Sequence, residues 1–346
     1  MPSLQIVKLS NASFAPAYAP VAVFVGGTSG VGQGMAEGFA RYVGGRAHII
    51  IVGRNEHAAA DIIASFPRPA TAEWTHEFVP CDVSVMANIR AACAEIRAKV
   101  RRVNFLVITA GYSSMVNVAI TTEGLDMHLA MRYYQRFVFI EELLPLVRAA
   151  HELGQDAKVM SVLGAGRGTP SRPLDLANLG NTVKPRTGRF TVALRSMITS
   201  SGYTDAMLAH FAAQNPGIAF THIHPGVVRT PGLHVDFDGL LTPLSWLLNW
   251  LVPLFAVSQD ECAEHMLHAL FTGARGLFIR DRYGNAVSAK EFDAQVELGD
   301  SEETSVLDGT PMPGYGASDC GVHAVVAHTE AVTAVRAVAA RTDSTP

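Results

Sequence analysis

The stretch Val21-Ala22-Val23-Phe24-Val25-Gly26-Gly27-Thr28-Ser29-Gly30-Val31-Gly32-Gln33-Gly34-Met35-Ala36-Glu37-Gly38 decides the fold. Its first five residues are apolar without alternation, the pattern of a strand buried on both faces. Gly26, Gly30 and Gly32 follow at the spacing G-x-x-x-G-x-G. They permit a tight turn and close backbone approach, and amides at the start of the next helix can hold a pyrophosphate. Gly34 and Gly38 continue the spacing and are expected to let that helix sit close on the sheet. A glycine-rich turn alone is a weak signal; a strand before it and a helix after it make it a dinucleotide-binding one.

The alternation of strand and helix continues outward. Apolar runs at His48–Val52, Phe105–Thr109, Lys158–Val162 and Ile218–Ile223 read as further buried strands, with another expected just before Cys81. Helical patterns lie between them at about Gly30–Tyr42, Ala58–Ser65, Ser84–Val100, Thr122–Leu153 and Arg189–Ala213, and Ser84 is the expected N-cap of the third. This order predicts an α/β fold: a Rossmann-type, doubly wound parallel sheet in three αβα layers. The expected organisation is an N-terminal arm (1–20), a single nucleotide-binding domain (21–283) and a C-terminal extension (284–346). That extension ends in an Ala/Val-rich helix near Val322–Arg341.

Composition narrows the class. Of 346 residues, 49% are hydrophobic and 17% charged, which excludes a disordered chain. Net charge is −4, and lysine occurs only at positions 8, 99, 158, 184 and 290. No basic run can track a phosphate backbone, so nucleic acid is excluded as the expected partner. Cys81, Cys93, Cys262 and Cys320 are scattered with no CxxC pair, which suits a reducing, cytoplasmic setting. Met1 to Pro20 lacks the pattern of a signal peptide. The long uncharged stretch Gly239–Val257 is broken by Pro243 and Pro253, so no stable membrane span is expected.

The ends of the strands carry the cofactor reading. After the second strand comes Gly53-Arg54-Asn55. An NAD site usually places a carboxylate there for the ribose 2′-hydroxyl; Arg54 instead suits a 2′-phosphate, so NADP(H) is the expected cofactor. Asp82, after the third strand, is placed to meet the adenine amino group. Thr109-Ala110-Gly111 ends the fourth strand, with Gly111 allowing close cofactor packing.

This succession resembles the short-chain dehydrogenase/reductase family over about Val21 to Arg282. The resemblance implies that Gly26, Thr28, Ser29, Gly30, Val31 and Gly32 form the family's TGxxxGxG loop, with Val25 in place of its Thr. It implies that Asp82 and Val83 are its adenine-contacting pair, and that Ile108-Thr109-Ala110-Gly111 is its NNAG turn with both Asn changed. Pro225, Gly226, Val228 and Thr230 match its PGxxxT segment, which holds the nicotinamide carboxamide. The phrases EGLDMHLAMRYYQRF and HPGVVRT are most similar to a fungal, secondary-metabolism branch. Homo-oligomerisation through the long helix around Thr122–Leu153 is a further implication of the resemblance.

The family's catalytic pattern breaks here. Ser161, three residues before Gly164, falls where the family's carbonyl-orienting Ser belongs. No Tyr has a Lys four residues later; counting back from Pro225 puts the missing pair near Leu194 or Arg195 and near Ile198 or Thr199. The family's relay Asn falls near Arg132 or Tyr133. One reading keeps hydride transfer to a carbonyl or imine, with Ser161 orienting it and Tyr133, Tyr134 or water supplying the proton. General acid catalysis is worth only about 10²- to 10⁴-fold, so its loss need not abolish the reaction. A second reading is a redox-neutral cyclisation, dehydration or isomerisation, with Arg132, Arg136 and Arg195 polarising a carbonyl. A third is a cofactor-binding scaffold without catalysis.

Two more features complete the expectations. The segment at about 231–258 follows the PGxxxT motif, which in the family closes over the substrate. Trp246, Trp250 and Phe255 then line a pocket for a large apolar small molecule. His222 and His224 share one face of a strand; with no third ligand nearby they are expected to be packed residues, and no metal is expected.

Overall fold

The computed structural model describes residues 3–68, 74–111, 114, 119–166, 179–180, 189–233, 242–287 and 319–342. The apolar runs form a seven-stranded sheet: β1 Val21–Val25, β2 His48–Gly53, β3 His76–Pro80, β4 Phe105–Ile108, β5 Lys158–Val162, β6 Ala219–Ile223 and β7 Gly276–Arg280. Every pair is parallel, in the order β3-β2-β1-β4-β5-β6-β7. The chain winds outward one way from β1 through β3, then restarts beside β1 at β4 and winds the other way. That reversal leaves a crevice beyond the carboxyl ends of β1 and β4, the usual ligand position in such sheets. The seventh strand, Gly276–Arg280, lies beyond the runs singled out in the sequence.

The connecting helices are α1 Leu4–Ala12, α2 Gly30–Tyr42, α3 Glu56–Ser65, α4 Met86–Lys99, α5 Met127–Leu129, α6 Gln135–Glu152, α7 Arg189–Gln214, α8 Thr242–Phe255, α9 Gln259–Thr272 and the C-terminal α10 Asp319–Thr342. Between α5 and α6 the chain makes a π-helical turn at Ala130–Tyr134, so the single helix expected over Thr122–Leu153 is interrupted. Apolar cores fill both sides of the sheet. On one side Val23, Ile50 and Leu106 pack with α4, α6, α7 and α10; on the other Phe24, Ile51 and Val107 pack with α2, α3 and α9.

Three local expectations change. Gly34 and Gly38 face α9 rather than the sheet: a methyl group on Gly38 would lie 2.7 Å from Leu267 Cδ1, and one on Gly34 would lie 3.2 Å from Ala263 Cβ. Ser84 does not cap α4. Its amide and hydroxyl both donate to Asp82 Oδ1 (3.0 and 2.8 Å), and α4 starts two residues later. The Glu123 carboxylate caps it instead, accepting from the amides of Met86 (2.7 Å) and Ala87 (3.1 Å). The N-terminal residues are not a loose arm throughout, because α1 docks on α9 through Asn11, whose side chain donates to Glu264 O and Oε2.

Candidate active site

A cleft of about 790 Å³ opens at the carboxyl ends of β1, β2, β4, β5 and β6. Its outer half is the glycine turn. Gly26 (φ 85°) and Gly30 (φ 59°) adopt left-handed conformations that side chains disfavour. A Cβ on Gly26 would lie 2.6 Å from Ala110 N, and one on Gly32 would lie 2.3 Å from Thr109 Oγ1. Thr109 Oγ1 donates to Val25 O (3.0 Å) and so locks the β4 end against the turn. Ser29 is the N-cap of α2, yet its side chain makes no capping bond, so it does not occupy the first-turn amides that face the cleft. Thr28, Ser29, Val31, Ala110 and Gly111 complete this wall.

Arg54 lines the cleft at the end of β2, and no carboxylate is among the described lining residues. A Cβ on Gly53 would lie 2.8 Å from Thr28 Cγ2, so the residue before Arg54 must be small. Across the cleft Pro225, Gly226, Val228 and Thr230 form the opposite wall, and Thr230 packs beside Gly30. The glycine turn, Arg54 and the second wall are the residues that would hold a dinucleotide here. Two expected contacts fall elsewhere. Asn55 is the N-cap of α3, accepting from Ala58 N (3.0 Å), and Asp82 is bonded to Ser84; neither lines the cleft, although Val83 does.

The inner half is walled by α7, the β5 end and the π-helical turn. Of the positions counted for the family's Tyr and Lys, Leu194 and Ile198 both line the cleft one helical turn apart, with Met197 and Ser201. Arg195 is exposed and is not among the described lining residues. The β5 end contributes Val162, Leu163 and Gly164. Ser161 sits one residue inside the strand and is fully buried. Its Oγ accepts from Arg136 Nε at 2.9 Å, on the α6 side of the sheet. The structure thus places Ser161 beneath the cleft floor rather than on it.

The π-helical turn puts Arg132 into the cleft wall, beside Met131. Arg132 Nε donates to Ser200 Oγ (3.0 Å), which orients the guanidinium. Burial lowers its pKa to about 10. Arg136, one turn on and wholly buried, is lowered to about 9, first by burial and then by the charge on Arg132. Both remain cations at neutral pH. Tyr133 points the other way. It is fully buried, its hydroxyl meets Thr329 Oγ1 (2.8 Å) on α10, and it packs edge-on to Tyr203. Tyr134 likewise meets His328 Nε2 (3.0 Å). Neither tyrosine reaches the cleft, which corrects the expectation that one of them donates the proton.

Trp246, Trp250 and Phe255 lie on α8 with 78%, 64% and 83% exposure, and none lines the cleft. The expectation of an aromatic substrate lid is corrected accordingly. The apolar lining comes instead from α7 and the β5 end. His222 is buried and its Nδ1 lies 2.5 Å from Asp205 Oδ1, while His224 lines the cleft with Nδ1 3.2 Å from Leu163 O. Sequence reasoning passed over Met197 and Ser201 and took His224 for a packed residue; the spacing Leu194, Met197, Ile198, Ser201 is one helix face and was the available signal.

Residues 20–165 match the family model for the short chain dehydrogenase. The chain belongs to the short-chain dehydrogenase/reductase family. It is 34% identical over 275 residues to oxidoreductase andH of Emericella variicolor, covering 79% of this chain and 76% of that one. Oxidoreductase AN1596 of Emericella nidulans is 32% identical over 273 residues (78% and 77%). The polyprenol dehydrogenase of Homo sapiens is 26% identical over 260 residues (75% and 74%). Among solved structures, an NADPH-bound carbonyl reductase from chicken fatty liver superposes with a TM-score of 0.52 at 17% identity, covering 78% of this chain and 99% of that one. A 3-ketoacyl-(acyl-carrier-protein) reductase from Brucella melitensis complexed with NADH gives 0.51 at 21% (72% and 89%). These structures show the fold.

Proposed function

We propose that this oxidoreductase uses NADP(H) and acts on a carbonyl of a large apolar small molecule, with water in place of the family's tyrosine as proton donor. The observation that carries the reading is the inner cleft itself: among the described residues Leu163, Leu194, Met197 and Ile198 give it a largely apolar wall, interrupted by Arg132, Ser201 and His224. The nicotinamide, when bound, supplies or accepts a hydride. Arg132 then orients and polarises the carbonyl oxygen, a task that needs a fixed donor more than a proton. A protonated imine meets repulsion from Arg132 and Arg136, which favours the carbonyl over the imine. Kinship with a polyprenol dehydrogenase supports an apolar substrate, and the similarity to fungal oxidoreductases supports secondary metabolism.

Cofactor choice rests on Arg54. A charge-assisted bond to a phosphate contributes roughly 1.5–3 kcal/mol, about ten-fold or more in affinity. NADPH is expected to bind at least ten-fold more tightly than NADH, and Arg54→Ala to close most of that gap, as measured by nicotinamide fluorescence. Equal affinities in the parent protein would refute the assignment. A redox-neutral step is the second reading, favoured by the loss of the acid alongside retention of a polarising cation. NADPH oxidation with apolar ketones separates the two: turnover with cofactor consumption supports the reductase, tight binding with product formed but no consumption supports the second.

A further inference from the structure

Helix α8 is inverted for a chain in water. Its residues Thr242–Phe255 include no Asp, Glu, Lys or Arg. Ser245 and Asn249, one turn apart, mark the side turned to the protein: Ser245 is buried, Asn249 is half-buried, and both residues are already engaged in interactions. Leu244, Trp246, Leu247, Trp250, Leu254 and Phe255 are exposed. At 3.6 residues per turn they cover about half the circumference, opposite Ser245 and Asn249. A surface helix of a globular protein shows the reverse, with its apolar stripe on the core and its polar side in solvent. Half of the large apolar side chains that are exposed among the described residues lie on this one helix. An aromatic side chain carries about 150–250 Å² of surface. Three aromatics, each more than half exposed, with three leucines beside them exceed the few hundred Å² of apolar patch usual on a monomer.

We propose that α8 docks the protein on a lipid bilayer, lying in the interface with its exposed face among the outer acyl chains. A protein partner would be met by a polar rim and roughly one hydrogen bond per 100–200 Å². This face has only the two indole N–H groups to give, because the other polar residues are turned inward. Indoles suit the bilayer boundary, where the ring is in hydrocarbon and the N–H meets headgroups or water. With no Lys or Arg on the helix, apolar burial supplies the attraction and anionic headgroups add little. The helix lies on the bilayer and does not cross it, since a span needs about 20 residues. Its C-terminal end is tied to the cleft. Val257 N donates to Val227 O (3.0 Å), and Arg229 donates to Val257 O from its amide (2.9 Å) and to Pro253 O from Nη2 (2.8 Å). Val227 is exposed and lines the cleft, so the docked face and the cleft mouth adjoin. An apolar molecule held in the bilayer would reach the cleft without crossing bulk water; the docking itself does not depend on the reaction.

The test is flotation of the full chain with phosphatidylcholine vesicles, with and without phosphatidylserine, at low and high salt. Trp74, Trp246 and Trp250 are the chain's only tryptophans and Trp74 is half-buried, so indole emission reports on α8. The protein is expected to float with phosphatidylcholine alone. Its emission should shift to the blue and be quenched by brominated phosphatidylcholine. Phosphatidylserine and salt should change the partitioning by no more than about two-fold, because no charge on the helix is there to be screened. Trp246→Ala and Trp250→Ala are each expected to lower partitioning about ten-fold, the value of one large apolar side chain buried. The urea midpoint should not move, since both side chains are exposed. Phe255→Ala should act in the same direction and decides the matter if a tryptophan variant fails to fold. Absence of flotation with phosphatidylcholine overturns the docking. So does flotation that requires phosphatidylserine, that salt abolishes, or that survives in a folded protein lacking both Trp246 and Trp250. A dimer that the double variant loses, in a protein that ignores vesicles, would give the face to a second copy of the chain and overturn it as well.

Discussion

Ser161 and Arg136 hold each other in place. The hydroxyl accepts from a fully buried guanidinium, and that guanidinium also bonds Val162 O, so one side chain ties the β5 end to the π-helical turn. The position therefore shapes the cleft without facing it. Removing the acceptor leaves a charged N–H short of a partner in a site that water does not reach. Hydrogen bonds to charged groups are worth about 1.5–3 kcal/mol, so Ser161→Ala is expected to lower unfolding stability by roughly that amount in urea titration. NADPH affinity should stay within a factor of two or so, since Ser161 does not line the cleft. Lost turnover in a variant of unchanged stability would instead return Ser161 to the reacting atoms.

Single elements show where distant residues decide what local ones leave open. The start of α4 is capped from Glu123, through both carboxylate oxygens. Loss of a capping side chain costs about 0.5–2 kcal/mol, so Glu123→Ala should reduce stability in that range by urea titration, whereas Ser84→Ala should cost less. A Ser84→Ala effect larger than that of Glu123→Ala would reverse the assignment. The glycine turn, by contrast, was legible in the sequence, because its steric demand is local: Gly26, Gly30 and Gly32 each fill a space that a side chain would obstruct or a backbone that it would strain. Ser161 was misread because a strand end is fixed by pairing with neighbours, and a single residue separates the buried Ser161 from Val162, which lines the cleft. Tyr133 was misread because its partner, Thr329, lies on a helix almost two hundred positions away in sequence. The Trp246–Phe255 face was misread because apolar character alone does not say whether a helix side is covered.

Across the whole molecule, histidines of lowered pKa sit in every layer: His76 on β3, His210 on α7, His265 and His268 on α9, and His328 on α10. Burial is the leading cause in each, pushing the pKa below the usual 6.5. A histidine depressed in the folded state binds fewer protons there than in the unfolded chain. Its contribution to stability is complete above about pH 6.5 and is lost as pH falls toward the folded value. Asp126, Glu141 and Asp205 oppose this, because burial raises each and favours the protonated form in the folded state. His76 isolates the histidine part. Both its ring nitrogens are buried without hydrogen-bond partners, and it stands edge-on to Phe66 at 5.1 Å, so a phenyl ring replaces it at little cost in packing. The urea midpoint is expected to fall between pH 7.5 and pH 5.5, and less steeply in His76→Phe than in the parent, the carboxylates being common to both. Equal slopes in the two proteins would show that His76 takes up its proton as readily folded as unfolded.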